Sequence, residues 1–491
     1  MASARLAVPG LARRAPPAWA AALALLLPAC SLAPRYQRPA APVPGAFPTT
    51  APGEAAGPGP AAEALGWRDV FGDARLQALV TLALEHNRDL RVAVLAVELT
   101  RAQYGLQRAQ QLPQVSAAAS VTRQRVPWDL NTSGKGVIAD AWSVGGALAI
   151  FELDLFGRVR SLSDAALEQY LATEEARRGA QLSLVAAVAG QYLAGLAAEE
   201  QVALARETLQ AVEASSRLTR RAAEAGRSTE LDLRTAEAQL EAARANLAAA
   251  GQQRARAASG LAVLVGGALP ADLPTGLPLD AALLVTDLPA GVPSEVLVRR
   301  PDVLAAEHAL RSANAVIGAA RAAFFPSISL TASGGTASAS LDGLFAGGSL
   351  AWSFTPRLSL PIFAGGALRA SLDAAEVRTS IEVARYEKAI QVAFREVADA
   401  LEGRAFLDEQ LRAQAARVAA EARRFELSEL RYRAGVDSYL TVLTAQRDLY
   451  GARQQLIQVR LARLSNLVDL YKALGGGWRE RAQAGGPGAG G

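Results

Sequence analysis

The chain reads as a mainly helical protein made of two similar halves, each with a pair of membrane-type β-strands set between long helices. Three observations predict this. Arg101–Val115 (RAQYGLQRAQQLPQV) is echoed 213 residues later by Asn314–Ile328 (NAVIGAARAAFFPSI), and both helical stretches end at a proline, Pro113 or Pro326. Ala225-Gly226, Leu231, Thr235-Ala236 and Leu240 recur at an offset of 209 as Ala434-Gly435, Leu440, Thr444-Ala445 and Leu449. The segments that follow the two prolines alternate apolar and polar residues. Self-similarity at a nearly fixed offset marks a duplicated unit, here ordered helix, strand pair, long helix hairpin.

The first 29 residues read as an export signal. Arg5, Arg13 and Arg14 form a positive start, and Ala18–Leu27 is an apolar run too short to span a bilayer. It ends at Leu27-Pro28-Ala29-Cys30, which resembles a bacterial lipoprotein processing site, with Pro28 where Ala or Ser is more usual. Cys30, the only cysteine, would then carry covalent lipid, and no other cofactor is expected. Ser31 in the next position permits export to the outer membrane. Residues 30–66 hold many of the 24 prolines and should run extended over a surface. The rest divides into a first repeat (67–290), a second repeat (291–476) and a flexible tail (477–491).

Each half should begin with a shorter helix, about Asp69–Gln111 and Glu295–Phe324, the latter opening at Pro301-Asp302. Four strands follow in two pairs. Val115, Ala117, Ala119 and Val121 oppose Ser116, Ser120, Thr122 and Gln124. Trp142, Val144, Leu148 and Ile150 oppose Ser143, Ala147 and Ala149. Ile328, Leu330 and Ala332 oppose Ser327, Ser329, Thr331 and Ser333. Leu350, Trp352, Phe354, Leu358 and Leu360 oppose Ser349, Ser353, Thr355, Arg357 and Ser359. About ten residues is the length a tilted strand needs to cross a bilayer, and the hydroxylated face suits a wet lumen. Trp128, Trp142 and Trp352 are expected as interfacial anchors. Four strands cannot close a barrel, for which about eight is the minimum. Three copies of the chain supply twelve, and cyclic symmetry closes them.

Ser161–Ser259 and Ala367–Leu474 are proline-free and rich in Ala, Leu, Glu, Gln and Arg. Gly226 and Gly435 interrupt them, followed by Ser228 and Asp437 as expected N-caps, so each should fold into an antiparallel hairpin. The longer arm would reach roughly 95–100 Å. Leu233, Leu240 and Leu247, then Leu411, Val418, Phe425 and Tyr432, then Leu443, Tyr450, Ile457, Leu464 and Tyr471, recur at seven-residue spacing, a coiled-coil seam.

Several function classes are excluded. Without Arg5, Arg13 and Arg14 the formal charge of +4 falls to +1, and there is no polybasic block, so nucleic acid is not an expected partner. His86 and His308 lack ligand-like spacing, Gly365-Gly366 lacks phosphate-loop spacing, and no nucleophile–base set is present, so the chain is not expected to be an enzyme.

Cys30–Pro44, Arg299–Leu330, Trp352–Gly366, Arg431–Leu440 and Tyr471–Trp478 resemble the outer-membrane efflux protein family, the TolC-like ducts, and within it the lipoprotein branch typified by OprM. The resemblance covers nearly all of residues 30–478. It implies a homotrimer with a twelve-strand barrel in the outer membrane and a coiled-coil periplasmic tunnel, lipid-anchored in that membrane. It implies a periplasmic adaptor (membrane fusion) protein and an inner-membrane RND pump as partners. The implied function is passive export of drugs and other amphiphiles. The alternative is a duct for type I protein secretion or for a specific saccharide.

The resemblance also assigns the hairpin tips, Ala225–Asp232 and Ala434–Thr444. It implies a periplasmic gate of Leu231, Asp232, Arg431, Tyr432, Leu440 and Thr444, with Glu199 as an acidic partner for the locking residues. Gly226, Arg227, Ser228, Gly435, Val436, Asp437 and Ser438 become adaptor contacts. The chain departs from the pattern at Thr444 and, against some members, at Thr441, where Asp stands in the family. A ring of threonines neither repels itself nor holds cations as carboxylates do, so a cation-sensitive gate is not expected in full.

Overall fold

A computed structural model describes residues 32–45, 47, 66–132, 134–281, 284, 294–478 and 480. Cys30, the export signal and most of the tail lie outside them. The elements in chain order are α1 (Trp67–Val70), α2 (Ala74–His86), α3 (Arg88–Ala109), β1 (Val115–Val126), β2 (Val137–Leu153), α4 (Arg158–Glu224), α5 (Glu230–Val265), α6 (Pro301–Ala322), β3 (Ser327–Ser338), β4 (Leu350–Ser359), α7 (Ala367–Arg433) and α8 (Tyr439–Ala473). A 3₁₀ turn, Ser294–Arg299, precedes α6. The duplication is visible in lengths: α4 and α7 each have 67 residues, and α5 and α8 have 36 and 35.

The chain forms two units. The first holds residues up to Gln37, Arg101–Gln169 and Leu310–Glu382. Its centre is one antiparallel sheet in the order β1-β2-β3-β4. Register decides which faces coincide. Val121 pairs with Trp142, Leu148 with Ala332, Ala332 with Phe354 and Gly334 with Trp352, so the four apolar faces lie on one side. The hydroxyls share the other side, where Ser120 bonds Ser143 and Ser333 bonds Ser353, both at 2.8 Å. Both outer strands, β1 and β4, have one unpaired edge within the chain.

One detail corrects the alternation read from sequence. Leu148 pairs with Ala332 but Phe151 pairs with Leu330, so β2 holds one extra residue there. This β-bulge puts Phe151, not Ile150, on the face of Leu148. With the bulge included, β2 runs to 17 residues rather than about ten. Lower in the same sheet Gly145 faces Gly335, where a Cβ on Gly145 would sit 2.5 Å from the Gly334 carbonyl oxygen. Only glycine allows that approach.

Part of the proline-rich segment lies along α6 in the first unit. The Asn314 amide donates to the Pro34 carbonyl at 2.8 Å, and the Arg311 guanidinium stands 4.9 Å from the Tyr36 ring centroid.

The second unit holds Arg38–Thr100, Tyr170–Ala309 and residues from Val383 on. Trp67, Phe71, Leu76, Leu79, Leu193, Leu279, Leu297, Tyr386, Ile390 and Tyr471 are fully buried there. The expected single helix Asp69–Gln111 is instead three pieces. Asp73 caps α2, accepting from the amides of Arg75 (2.7 Å) and Leu76 (3.4 Å). Asn87 starts α3, its side-chain oxygen accepting from Leu90 N at 2.8 Å while its amide donates to the Leu264 carbonyl.

The hairpins form as expected. Arg220–Glu237 and Arg244–Glu213 tie α4 to α5, and Arg424–Asp448 and Arg463–Asp408 tie α7 to α8. Arg453–Glu207 and Arg460–Glu200 join the two hairpins. The seam differs from the leucine reading in α5. Its buried heptad is Ala236, Ala243, Ala250 and Ala257, and Leu233, Leu240 and Leu247 are only half-buried. Ala445, Ala452 and Val459 repeat it in α8, alongside the buried Leu443, Ile457, Leu464 and Tyr471. Part of α4 is apolar enough to cross a membrane by composition. Its Val185, Val188, Ala189 and Leu193 are buried against protein, which accounts for that composition.

Candidate functional site

The hairpin tips are built twice on one plan. Helix α4 ends as the Gly226 amide donates to the Ala223 carbonyl and the Arg227 amide to the Ala222 carbonyl. Helix α7 ends the same way, Gly435 donating to Tyr432 and Val436 to Arg431. Both glycines hold positive φ, +71° and +72°, the left-handed closure that favours glycine. This closure consumes two residues, so the next helices start one residue later than expected. The N-caps are Thr229 and Ser438, not Ser228 and Asp437.

The two tips then diverge in how they are fastened. In the first, Thr229 and Asp232 form a reciprocal capping box. Thr229 Oγ1 accepts from Asp232 N (3.1 Å), and Asp232 Oδ2 accepts from Thr229 N (3.2 Å), Thr229 Oγ1 (2.7 Å) and Ser228 Oγ (3.3 Å). These bonds, those of Thr229 foremost, hold the Asp232 carboxyl below the ordinary carboxylate range. In the second, Thr441 stands at the repeat-equivalent position and its hydroxyl lies 3.3 Å from Ser438 Oγ; Ser438 makes no side-chain cap bond. The fastening there is Arg431, which donates to Asp437 from Nε (2.7 Å) and Nη2 (3.0 Å). That fork lowers the Asp437 carboxyl and raises the Arg431 guanidinium.

Thr444 Oγ1 donates to the Leu440 carbonyl (2.9 Å) as Thr235 Oγ1 does to Leu231 (2.7 Å). Thr444 is therefore the repeat partner of Thr235, and Thr441 that of Asp232. Leu231 and Leu440 are 76% and 62% exposed, two apolar side chains bare at the tips. The Tyr432 ring lies 5.3 Å from the ring of Tyr439, whose hydroxyl bonds Ser215 Oγ on the other hairpin. Sequence reading missed Thr229, Ser215 and Tyr439; only the first had a legible signal, the T-x-x-D capping pattern. Within this chain Glu199 lies well away from the tips. Its neighbour Glu200 pairs with Arg460, 21 residues along α8 from Tyr439, about 30 Å at 1.5 Å per residue.

The sheet and the paired tips come from both halves of the chain, and so does the sequence match. The profile of the outer membrane efflux protein family matches residues 79–267 and 292–476, one segment for each repeat. The chain belongs to this family. As an outer membrane efflux protein it is 48% identical over 465 residues to the toluene efflux pump outer membrane protein TtgC of Pseudomonas putida, covering 94% of this chain and 95% of that one. It is 47% identical over 458 residues to the outer membrane protein OprJ of Pseudomonas aeruginosa, covering 93% and 95%. The open-state MtrE outer membrane channel of Neisseria gonorrhoeae matches with a TM-score of 0.83 and 43% identity, over 93% of this chain and all of that one. The fold is the TolC-like fold of outer-membrane efflux channels, and the chain is an outer-membrane channel protein.

Proposed function

We propose that this efflux protein is the passive outer-membrane conduit of a tripartite pump, a homotrimer anchored by lipid on Cys30. It would meet a periplasmic adaptor through its hairpin tips and receive drugs and other amphiphiles from an inner-membrane RND pump. It performs no chemistry itself. One observation carries the reading: the sheet aligns four apolar faces on one side yet leaves an open edge on β1 and on β4. Lipid offers no hydrogen bonds to such edges, so each must pair with another copy. Deleting the gene should lower the inhibitory concentrations of amphiphilic drugs, dyes and detergents several-fold, restored by a plasmid copy. Unchanged susceptibility with loss of a secreted protein would move the assignment to protein secretion.

The tips supply the gate in this reading. Leu231 and Leu440 narrow the pore, and the Arg431–Asp437 fork and the Thr229–Asp232 box hold the turns. Both carboxyls have depressed folded-state pKa values. Their contribution is present above the unfolded value of about 4 and is lost as pH falls through the folded values. Single-channel current in planar bilayers should therefore rise in acid, and rise several-fold at neutral pH in Arg431→Ala. Identical traces for the variant and the parent protein would remove Arg431 from the gate.

A further inference from the structure

Within the four strands, the apolar face carries only three charged residues: Arg123, Arg125 and Asp140. All three sit at one end. The row Val121–Trp142 is followed by the row Arg123–Asp140 and then by Arg125–Ile138, and the strands there join through a loop. At the other end, where the strands lead to helices, the same face reads Val115, Leu148, Phe151, Leu153, Ile328, Leu330 and Leu358, with no charge.

Charge on a lipid-facing strand is costly at the bilayer midplane and tolerated at its edge. Tryptophan prefers that edge, and Trp142 occupies the row just below the arginines. Each two-residue step along a strand is about 6.6 Å. Arg123 therefore stands one pleat past the Trp142 row, and Arg125 two. Arg123 is 71% exposed, and its Nε lies 3.5 Å from Asp140 Oδ1. That contact orients one guanidinium and offsets one of the two positive charges. Two planar forks one pleat apart match a phosphate group, which arginine engages bidentately.

We propose that Arg123 and Arg125 form a binding site for the phosphate of a phosphorylated glycolipid in the outer leaflet. The site rests on the reading that these strands cross the outer membrane with their loops outward. Lipid phosphate is favoured over free phosphate because the forks emerge from an apolar face that acyl chains would cover.

The test uses the full-length protein purified in detergent, with native mass spectrometry to count bound lipid. Probes are diphosphorylated lipid A, dephosphorylated lipid A and inorganic phosphate. The parent protein should retain the diphosphorylated form, and Arg123→Gln/Arg125→Gln should retain it at least about tenfold less. Arg123→Lys/Arg125→Lys should fall between, which separates charge loss from misfolding. Arg357→Gln, on the hydroxylated face, should bind as the parent does. Equal retention by the double glutamine variant overturns the site, as does an equal loss in Arg357→Gln. Displacement by an equal concentration of inorganic phosphate overturns the choice of lipid. A parent protein that stays in solution without detergent would instead sink the membrane reading itself.

Discussion

A chain carrying Thr122→Cys and Thr355→Cys should run as a covalent trimer on a non-reducing gel. The expectation comes from the internal repeat. Residues of β1 map onto β3 at the offset of 213 that relates Pro113 to Pro326. Val115 pairs with Leu148, and its equivalent Ile328 pairs with Leu358, so β2 maps onto β4 at an offset of 210 before the bulge. That mapping sets Trp142 on Trp352. The junction between the halves, β2 against β3, is then the template for β4 against β1 of the next copy. Gly145 faces Gly335 within the chain; translated, Thr355 faces Thr122 between chains. The same register sets Leu358 opposite Ala119, and it brings Phe354 and Trp352 opposite Arg123 and Arg125 of the next copy.

A disulfide between these positions inside one chain is excluded. They lie on opposite edges of a four-stranded sheet, three strand spacings or at least about 14 Å apart, beyond disulfide reach. Single-cysteine variants control for Cys30. If Ser120→Cys/Thr355→Cys cross-links in place of the first pair, the seam is slipped by two residues. If neither forms any inter-chain bond, the edges do not meet.

The second large effect is expected at Asp73. Its carboxylate is fully buried and gathers four donors: the amides of Arg75, Leu76 and Leu277 (3.0 Å) and the Tyr192 hydroxyl (2.7 Å). It thus joins the start of α2 to α4 and to the segment after α5. Burial, and after it the bond to Asp73, raises the Tyr192 phenol above its usual range, so it remains a donor at working pH. Asp73→Ala removes an N-cap and strands several buried donors, a loss of roughly 3 kcal/mol or more. Asp73→Asn keeps one acceptor oxygen and should cost less. Thermal melting of the detergent-solubilised protein gives the order parent, Asn, Ala; an Ala variant that melts with the parent would show that the cluster carries no weight.

Much of this architecture was readable before any coordinates. The repeat offsets located both strand pairs and both tips, because duplication preserves the order of elements and strand alternation has a strict period. What escaped had local causes. Gly72, Asp73 and Asn87 are poor helix formers, and Asp and Asn are good N-caps, so the breaks are marked locally, and tertiary partners such as Tyr192 and Leu264 hold them in place. The leucine spacing in α5 marks a seam one position class away from the true one, since the buried positions are alanines that let backbones approach. The bulge in β2 has no sequence mark, since Ala149 and Ile150 look like any alternating pair. Tyr439 carries no sequence signal, because its partner Ser215 lies more than 200 residues away and is uncharged.

The unlike fastenings at the two turns matter for anything that must grip the hairpin tips. Around a threefold axis the rim would alternate between carboxylate-boxed turns and arginine-forked turns, three of each. A ring of six identical subunits docking there would therefore face two chemically distinct seats, and its own members would be sorted into two classes by the surface they touch. In such a ring the side chains would break sixfold equivalence even where the backbones nearly repeat.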